Sequence, residues 1–353
     1  MDLYITGIGV VSALGSGINT LEAGLRGEKK PLIEERTIET KAGEKTISSH
    51  IAVMEGLEKF VPRQSLRRID RFTQMSLLSS HLALEDSQLT IEDKTRMGII
   101  FGSGYGSLST SFSFLDALID HGDKCASPTL FASSVHNSLA SQAAISLKFQ
   151  GPCLTITCFQ ETLFSVLLNA QMLFENEDVD HLLIGFGEEH CDVRNYATNQ
   201  FGGGETRSIS PFDSNQCSFL PGEGFVSFLL SKENNPRNYC KINGIKILTD
   251  LQEVPSDIDS LFLDCDGEKG KASSYQTLFN KDFHLRTYSP LFGGMPSGQA
   301  FDMAAAALSL KKETLFPLPE NTVDNEVTLD SSSTIGLIGQ RANMQYSLIT
   351  LKK

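Results

Sequence analysis

Long apolar runs are missing from this sequence. Of its 353 residues 40% are hydrophobic, but no run approaches the roughly 20 apolar residues that a membrane-spanning helix needs. Met1 is followed directly by Asp2 and a strand-like segment, without the basic and apolar regions of a secretory signal. We therefore expect neither a membrane span nor a signal peptide, and we expect a cytoplasmic protein.

An excess of positive charge is also missing. The 30 Lys and Arg residues face 43 Asp and Glu residues, which gives a net charge of −13. Binding to nucleic acid requires a concentrated positive face, so no nucleic-acid partner is expected.

Cys-x-x-Cys pairs are absent as well. The seven cysteines form an odd set, and no histidines stand near them at the spacing of a zinc site, which predicts neither a disulfide framework nor a zinc site. No metal and no cofactor are expected. The cysteines expected to be small buried hydrophobic residues are Cys153, Cys158, Cys191, Cys217 and Cys265.

Strand-like and helix-like patterns alternate along the chain, which predicts an α/β protein. Strands are predicted at 3–15, 96–102, 154–159, 181–187, 225–230, 241–248, 260–265 and 345–351. Two predicted helices, at 161–174 and 298–311, are apolar nearly all round and must be sandwiched between other layers. The polar stretch 232–238 is the best candidate for a seam between two halves.

The most informative segment runs from Gly151 to Phe164. It predicts a buried strand that turns sharply into an apolar helix. Enzymes often place a nucleophilic Ser or Cys at such a turn, because the amides at a helix N-terminus stabilise anions. Here the position holds Gln160, which cannot act as a nucleophile.

Several motifs, in chain order, resemble the β-ketoacyl-acyl carrier protein synthases of the thiolase superfamily. They are the opening strand 3–15, Arg67-Arg-Ile-Asp-Arg-Phe72, the strand and glycine loop 96–106, and Pro211-Phe-Asp213 followed by Gly222-Glu-Gly224. The resemblance implies an α/β, thiolase-like αβαβα five-layered sandwich of two pseudo-repeated halves. We place the halves at 1–235 and 236–353, the second being abbreviated.

The same resemblance locates three catalytic positions of the family. Counting from Gly151-Pro152 puts the nucleophilic Cys at Gln160, with Cys158 two residues early. Asp266 stands where the first active-site His is found, and Met295 where the second is found. The closing glycine loop, which shapes the oxyanion hole, corresponds to 338–341. These replacements imply a site without catalytic residues.

A condensing-enzyme fold without this chemistry resembles the chain-length factors of type II polyketide and aryl-polyene systems. The resemblance implies a subunit that is no enzyme on its own. It would form a heterodimer with an active β-ketoacyl synthase, meet the acyl carrier protein through that complex, and shape the acyl tunnel during polyketide, polyene or fatty-acid-like elongation.

Residues of the predicted helix after the glycine loop are candidates for a tunnel gate or interface. They are Phe112, Leu115 and Asp116, with His136 at a later helix start. Ordinary core packing explains the first three equally well, and helix capping or an interface explains His136.

Two enzymatic alternatives remain. One is a malonyl-carrier protein decarboxylase that supplies starter units, and the other is an unusual synthase that uses Cys158. The arginines at 63, 67, 68 and 71 fit an acidic carrier protein, but a solvated face or an internal ion pair explains them better.

Overall fold

The computed structural model describes residues 2–41, 43–66, 69–176, 178–201, 203–204, 206–319 and 325–353. The strands are β1 (Leu3–Ser12), β2 (Gly15–Ser16), β3 (Ile33–Thr40), β4 (Gly43–His50), β5 (Met97–Ser103), β6 (Cys153–Thr157), β7 (His181–Glu188), β8 (Gly224–Ser231), β9 (Cys240–Leu248), β10 (Ser260–Leu263), β11 (His284–Arg286), β12 (Thr314–Leu315), β13 (Val327–Thr328), β14 (Thr334–Gln340) and β15 (Tyr346–Lys352). The helices are α1 (Ile18–Leu25), α2 (Arg63–Leu66), α3 (Arg71–Ser87), α4 (Leu108–His121), α5 (Pro128–Ser134), α6 (Ser138–Leu147), α7 (Thr162–Asn176), α8 (Asp192–Gln200), α9 (Ser289–Phe292) and α10 (Gln299–Lys312).

One topology occurs twice in the main sheet. In the first half the strand order is β6-β5-β7-β8-β1, and in the second it is β11-β10-β14-β15-β9. The first three strands of each half pair in parallel and the next two pair antiparallel. The halves meet where three residues of β1 pair with β9. The boundary at residue 235 remains a prediction, between the end of β8 and the start of β9.

The layers follow from which faces of these strands are apolar. Helices α3 and α6 cover the outer face of the first half, helices α7 and α10 lie between the halves, and α10 contacts strands of both. Over the outer face of the second half, the described residues form 3₁₀ turns at 251–253 and 271–275. This is the layering expected of a five-layered sandwich, with a thin fifth layer.

Helix α3 lies unusually close to strand β1 because β1 carries glycine at the contact. A Cβ atom on Gly9 would lie 1.9 Å from the carbonyl oxygen of Ser79. The hydroxyl of Ser79 donates to the Gly9 carbonyl at 2.8 Å. The glycines of the opening strand are thus needed for packing in the first layer.

Several sequence predictions need correction. The region after residue 26, for which no element was predicted, contains the hairpin of β3 and β4. Strand β6 is an edge strand rather than a buried one, and its Cys153 and Leu154 are exposed. Cys191 and Cys265 are buried as expected, whereas Cys158 and Cys217 are only partly buried.

The prediction of two sandwiched helices is half right. Every residue of α10 from Ala300 to Leu310 is buried. Helix α7 buries one face, but Leu168 and Met172 on the other are 36% and 58% exposed. Among the described residues no helix has both the length and the hydrophobicity to cross a membrane.

Candidate functional site

A cavity of about 940 Å³ opens where the carboxyl ends of several parallel strands meet. Such ends are where open α/β sheets bind ligands. The loop after β5 contributes Tyr105, and the segments after β6 and β10 contribute 159–163 and 264–271. The turn before α10 and the end of β14 complete the wall.

The three positions that the sequence singled out line this one cavity. They are Gln160 before α7, Asp266 after β10 and Met295 before α10. No histidine lines the cavity within the described ranges. Cys158 does not line it, and its thiol lies against the carbonyl oxygen of Gln160.

The residue after Gln160 has an unusual backbone that the sequence did not reveal. Glu161 adopts a φ of 68°, the left-handed region, directly before α7. Its carboxylate forms an ion pair with Arg341, with 2.8 Å between Oε2 and Nη1, and the Arg341 guanidinium lies over the Phe164 ring. Strain of this kind costs about 1–3 kcal/mol and is typical of functional sites. The turn before α7 therefore has a strained backbone at Glu161, and Arg341 balances the charge of the Glu161 carboxylate.

The loop after β10 forms the acidic floor of the cavity. The Lys271 ammonium lies 3.2 Å from Asp266 and 3.9 Å from Asp264. The Tyr275 hydroxyl donates to Asp264. Burial raises the pKa of Asp264. Burial alone would lower the pKa of Lys271, but the charges of the two carboxylates, Asp264 and Asp266, outweigh it and hold this pKa above its usual value. Lys271 is therefore a permanent cation in this floor.

A third carboxyl group, Asp302 of α10, lines the same cavity and interacts electrostatically with Asp264, Asp266 and Lys271. Asp302 is 4% exposed, and its Oδ1 accepts a hydrogen bond from the Tyr288 amide at 2.8 Å. Burial, with Asp264 and Asp266 nearby, raises the pKa of Asp302 to about 8. At neutral pH Asp302 is therefore largely protonated.

Arg194 of α8 is a structural residue of the wall that no sequence motif indicated. Its guanidinium donates to the carbonyl oxygens of Glu189, Gly222 and Gly294 at 2.5–3.2 Å and lies over the Tyr105 ring. It is 3% exposed. Arg194 thus ties the loop that carries Met295 to the rest of the wall.

Two motifs behind the family resemblance bind each other. Arg71, at the start of α3, donates to the buried Glu223 from Nε at 2.9 Å and from Nη2 at 2.7 Å. Glu223 also accepts from the Ala52 amide at 3.0 Å. Of the two explanations preferred for these arginines, Arg71 shows the internal ion pair. Arg63 is exposed, as a solvated face requires, and Arg67 and Arg68 lie outside the described residues.

Three of the candidate gate residues, Phe112, Leu115 and Asp116, lie on α4, and His136 lies between α5 and α6; the structure does not bring them all to the cavity. Phe112 lines it and is 37% exposed. Leu115 and Asp116 are exposed on the same helix and do not line it. His136 is exposed, and its ring lies so close to Gly106 that a Cβ there would approach it to 2.5 Å. Core packing, the alternative for Phe112 and Leu115, is therefore wrong.

Sequence comparison finds relatives among condensing enzymes. Residues 56–200 match the family model "Beta-ketoacyl synthase, N-terminal domain". The 3-oxoacyl-(acyl-carrier-protein) synthase 2 of Vibrio cholerae is 23% identical over 288 residues, which are 77% of this chain and 67% of that protein. The synthase 2 of Staphylococcus aureus strain N315 is 26% identical over 63% of this chain, an alignment that spans 55% of that enzyme.

Structural comparison extends over the whole chain. The ishigamide ketosynthase/chain length factor has a TM-score of 0.81 at 17% identity, covering 100% of this chain and 99% of that one. A ketosynthase of a type II polyketide synthase, in complex with its acyl carrier protein, has a TM-score of 0.77 at 14% identity and 99% coverage of both chains. The thiolase-like sandwich is thus confirmed as the fold, and residues 56–200, less than half of the chain, are similar to the N-terminal domain of β-ketoacyl synthases.

Proposed function

We propose that this chain is a noncatalytic chain-length-factor subunit. It pairs with an active β-ketoacyl synthase, meets the acyl carrier protein through that complex, and helps to shape the tunnel for the growing polyketide, polyene or fatty-acid-like chain. One observation carries the proposal: Gln160, Asp266 and Met295, at the positions of the family's Cys and two His, line a single cavity.

The chemistry of condensation explains why these three residues matter. The reaction needs a thiolate to carry the acyl group and imidazoles to stabilise the enolate and the oxyanion. An amide, a carboxylate and a thioether offer none of these groups.

An exposed apolar surface supports the expected partner. Edge strand β6 leaves one side of its backbone unpaired; Leu154 in this strand and Phe159 just after it are exposed. Ile145 of α6 and Met172 of α7 are 71% and 58% exposed. Open strand edges and large apolar patches are typical of interaction sites, so this face, which we call the β6 face, is the proposed contact with the synthase.

The experiment is co-expression with an active β-ketoacyl synthase of the same organism, followed by affinity purification and light scattering. We expect a one-to-one complex that Leu154→Asp on the β6 face disrupts. Ile247→Asp is the matched control, because Ile247 is an equally exposed strand residue of β9. A Leu154→Asp chain that still co-purifies with the synthase would count against this interface.

The gate is tested in the same complex by Phe112→Gly and Leu115→Gly. If α4 limits the tunnel, removing the bulky side chain should lengthen the products measured by mass spectrometry, and Phe112→Gly should act more strongly because Phe112 lines the cavity. Unchanged product lengths from an intact complex would contradict a role in chain length.

Neither enzymatic alternative is favoured by a contact in the site. Cys158 lies outside the cavity lining, and a decarboxylase would lack the imidazoles. The purified chain should therefore release no carbon dioxide from malonyl-carrier protein, with or without Gln160→Ala. Release that Gln160→Ala abolishes would support the decarboxylase and overturn our proposal.

A further inference from the structure

Helix α4, which carries Phe112 into the cavity wall, begins without a cap of its own. Its N-cap residue, Ser107, has a ψ of 67° and forms no capping hydrogen bond, although serine is preferred at this position when the backbone is extended. The Ser107 hydroxyl is buried and has no hydrogen-bond partner among the described groups. The amides of the first turn therefore need an acceptor from elsewhere in the chain.

The acceptor comes from Glu189, the residue directly after strand β7. Its Oε1 accepts a hydrogen bond from the Ser109 amide, the second residue of α4, at 2.7 Å. Glu189 is buried. Burial raises the pKa of Glu189 to about 7, whereas the hydrogen bond from Ser109 lowers it. The start of α4 thus stabilises the ionised carboxylate, as the positive end of a helix does.

The preceding residue, Glu188, holds the glycine loop that leads into α4. It is fully buried. Its carboxylate accepts from the Ser103 hydroxyl at 3.0 Å and from the Gly104 and Tyr105 amides at 2.5 and 3.1 Å. Two adjacent carboxyl groups at the end of β7 therefore fix first the loop and then the helix start.

Few other contacts fix the direction of α4. Every residue of α4 belongs to the described part of the chain, and only Thr110 is buried. The main contacts of α4 with other elements are with α5 and the 3₁₀ turn at 123–125. Leu108 and Phe112 both line the cavity, and their spacing of four residues places them on one face of the helix. The hydrogen bond to Ser109 therefore acts on the turn that presents this face.

We infer that Glu189 is a positioning residue that caps α4 from outside the helix and thereby fixes Phe112 in the cavity wall. Glu189 does not line the cavity itself, so it acts through α4. The positioning of Phe112 is a property of the isolated chain. Its consequence for the length of the product rests on the proposed function.

The first test uses fluorescence. The chain contains no tryptophan, so Phe112→Trp gives the full chain a single reporter at this position. Adding Glu189→Ala should shift the emission to longer wavelength and increase quenching by acrylamide, because the uncapped turn frays. Glu189→Gln keeps an acceptor oxygen and should restore both signals. Ser107→Ala is the matched control and should change neither, because the Ser107 hydroxyl does not cap the helix.

Hydrogen exchange tests the same point without the reporter. In Glu189→Ala the amides of 109–112 should exchange about fivefold faster, the effect expected from the loss of one helix cap. Glu189→Asp, whose carboxylate is one methylene shorter, should act in the same direction and serves if Glu189→Ala does not fold. Lower stability with unchanged emission and exchange would make Glu189 a purely structural residue and overturn the inference. Equal changes in Ser107→Ala would overturn it as well.

Product lengths of the complex with the synthase separate this inference from the proposed function. Glu189→Ala should shift the lengths in the same direction as Phe112→Gly, and Glu189→Gln should restore them. If Phe112→Gly changes the products and Glu189→Ala does not, the inference fails and the proposed function stands. If neither changes them although Glu189→Ala shifts the emission of Phe112→Trp, the positioning is upheld and the role in chain length fails.

Discussion

Helices α7 and α10 occupy the same place in the two halves of the repeat, yet they meet different surroundings. Each comes after an edge strand in the chain, β6 or β11, and before the middle strand of its half, β7 or β14. Helix α10 is covered on all sides by its own chain, whereas α7 leaves Leu168 and Met172 exposed. We interpret α10 as the core of the subunit and α7 as part of a surface that a partner covers.

The turns that lead into the two helices also differ. Before α7, the chain passes through Glu161 in the left-handed region and neutralises it with Arg341. Before α10, Met295 is buried, and Asp302 in the first turn of α10 lines the cavity. The repeat thus keeps its backbone topology while neither turn places a Cys or a His in the cavity lining.

The largest expected effect separates the two helices directly. Ala305→Asp should place a charge in the fully buried face of α10 and cost about 4 kcal/mol or more, so the protein should be unfolded or insoluble. Met172→Asp, on the exposed face of α7, should leave the isolated chain folded. Circular dichroism and urea denaturation measure both, and equal destabilisation would remove the distinction between core and partner face.

A smaller effect is expected at the turn before α7. Arg341→Met should lower the free energy of unfolding by about 2 kcal/mol, because it leaves the largely buried Glu161 carboxylate unpaired. Arg36→Met is the matched control. Its ion pair with Asp192 is exposed, so the loss should stay within about 0.5 kcal/mol. If urea denaturation gives equal losses for the two variants, the buried pair has no special role at the turn.

The first turn of α10 should be recognised by the pH dependence of the protein's stability. Because burial raises the pKa of Asp302 from 3.8 to about 8, its contribution to stability is complete below pH 4 and is lost as the pH rises to 8, by about 1 kcal/mol per pH unit. Asp302→Asn should remove this slope. Thermal denaturation between pH 5 and pH 9 measures it, and identical profiles for both proteins would contradict the assignment.

The smallest effect on the isolated chain is expected for Leu168→Ser, which should change its stability by about 0.5 kcal/mol or less. Because Leu168 lies on the proposed partner face, the same substitution should weaken the complex with the synthase. Surface plasmon resonance against the immobilised synthase measures this. A stability loss without a change in affinity would place Leu168 in the core instead.

The same comparison explains what the sequence could and could not predict. Hydrophobicity identified both central helices, and the family resemblance singled out Gln160, Asp266 and Met295, which line one cavity. Hydrophobicity does not distinguish residues that their own chain covers from residues that a partner covers. For that reason α7 was expected to be sandwiched and β6 to be buried.

Other features of the structure could be predicted neither from the hydrophobic pattern of the sequence nor from its motifs. The left-handed backbone of Glu161 depends on the turn between β6 and α7 rather than on the residue type. The hairpin of β3 and β4 was missed because Glu34, Glu35 and Arg36 give it no alternation of polar and apolar residues. Arg194 reaches three separate loops, which only the tertiary structure brings together.

The most direct test of the central claim is intact-mass spectrometry of the purified chain, alone, after incubation with acylated carrier protein. With Gln160 at the turn and Cys158 outside the cavity lining, we predict an unmodified mass, and acylation of the synthase when the two subunits are mixed. An acyl adduct on a thiol of this chain in the absence of a partner would contradict the account.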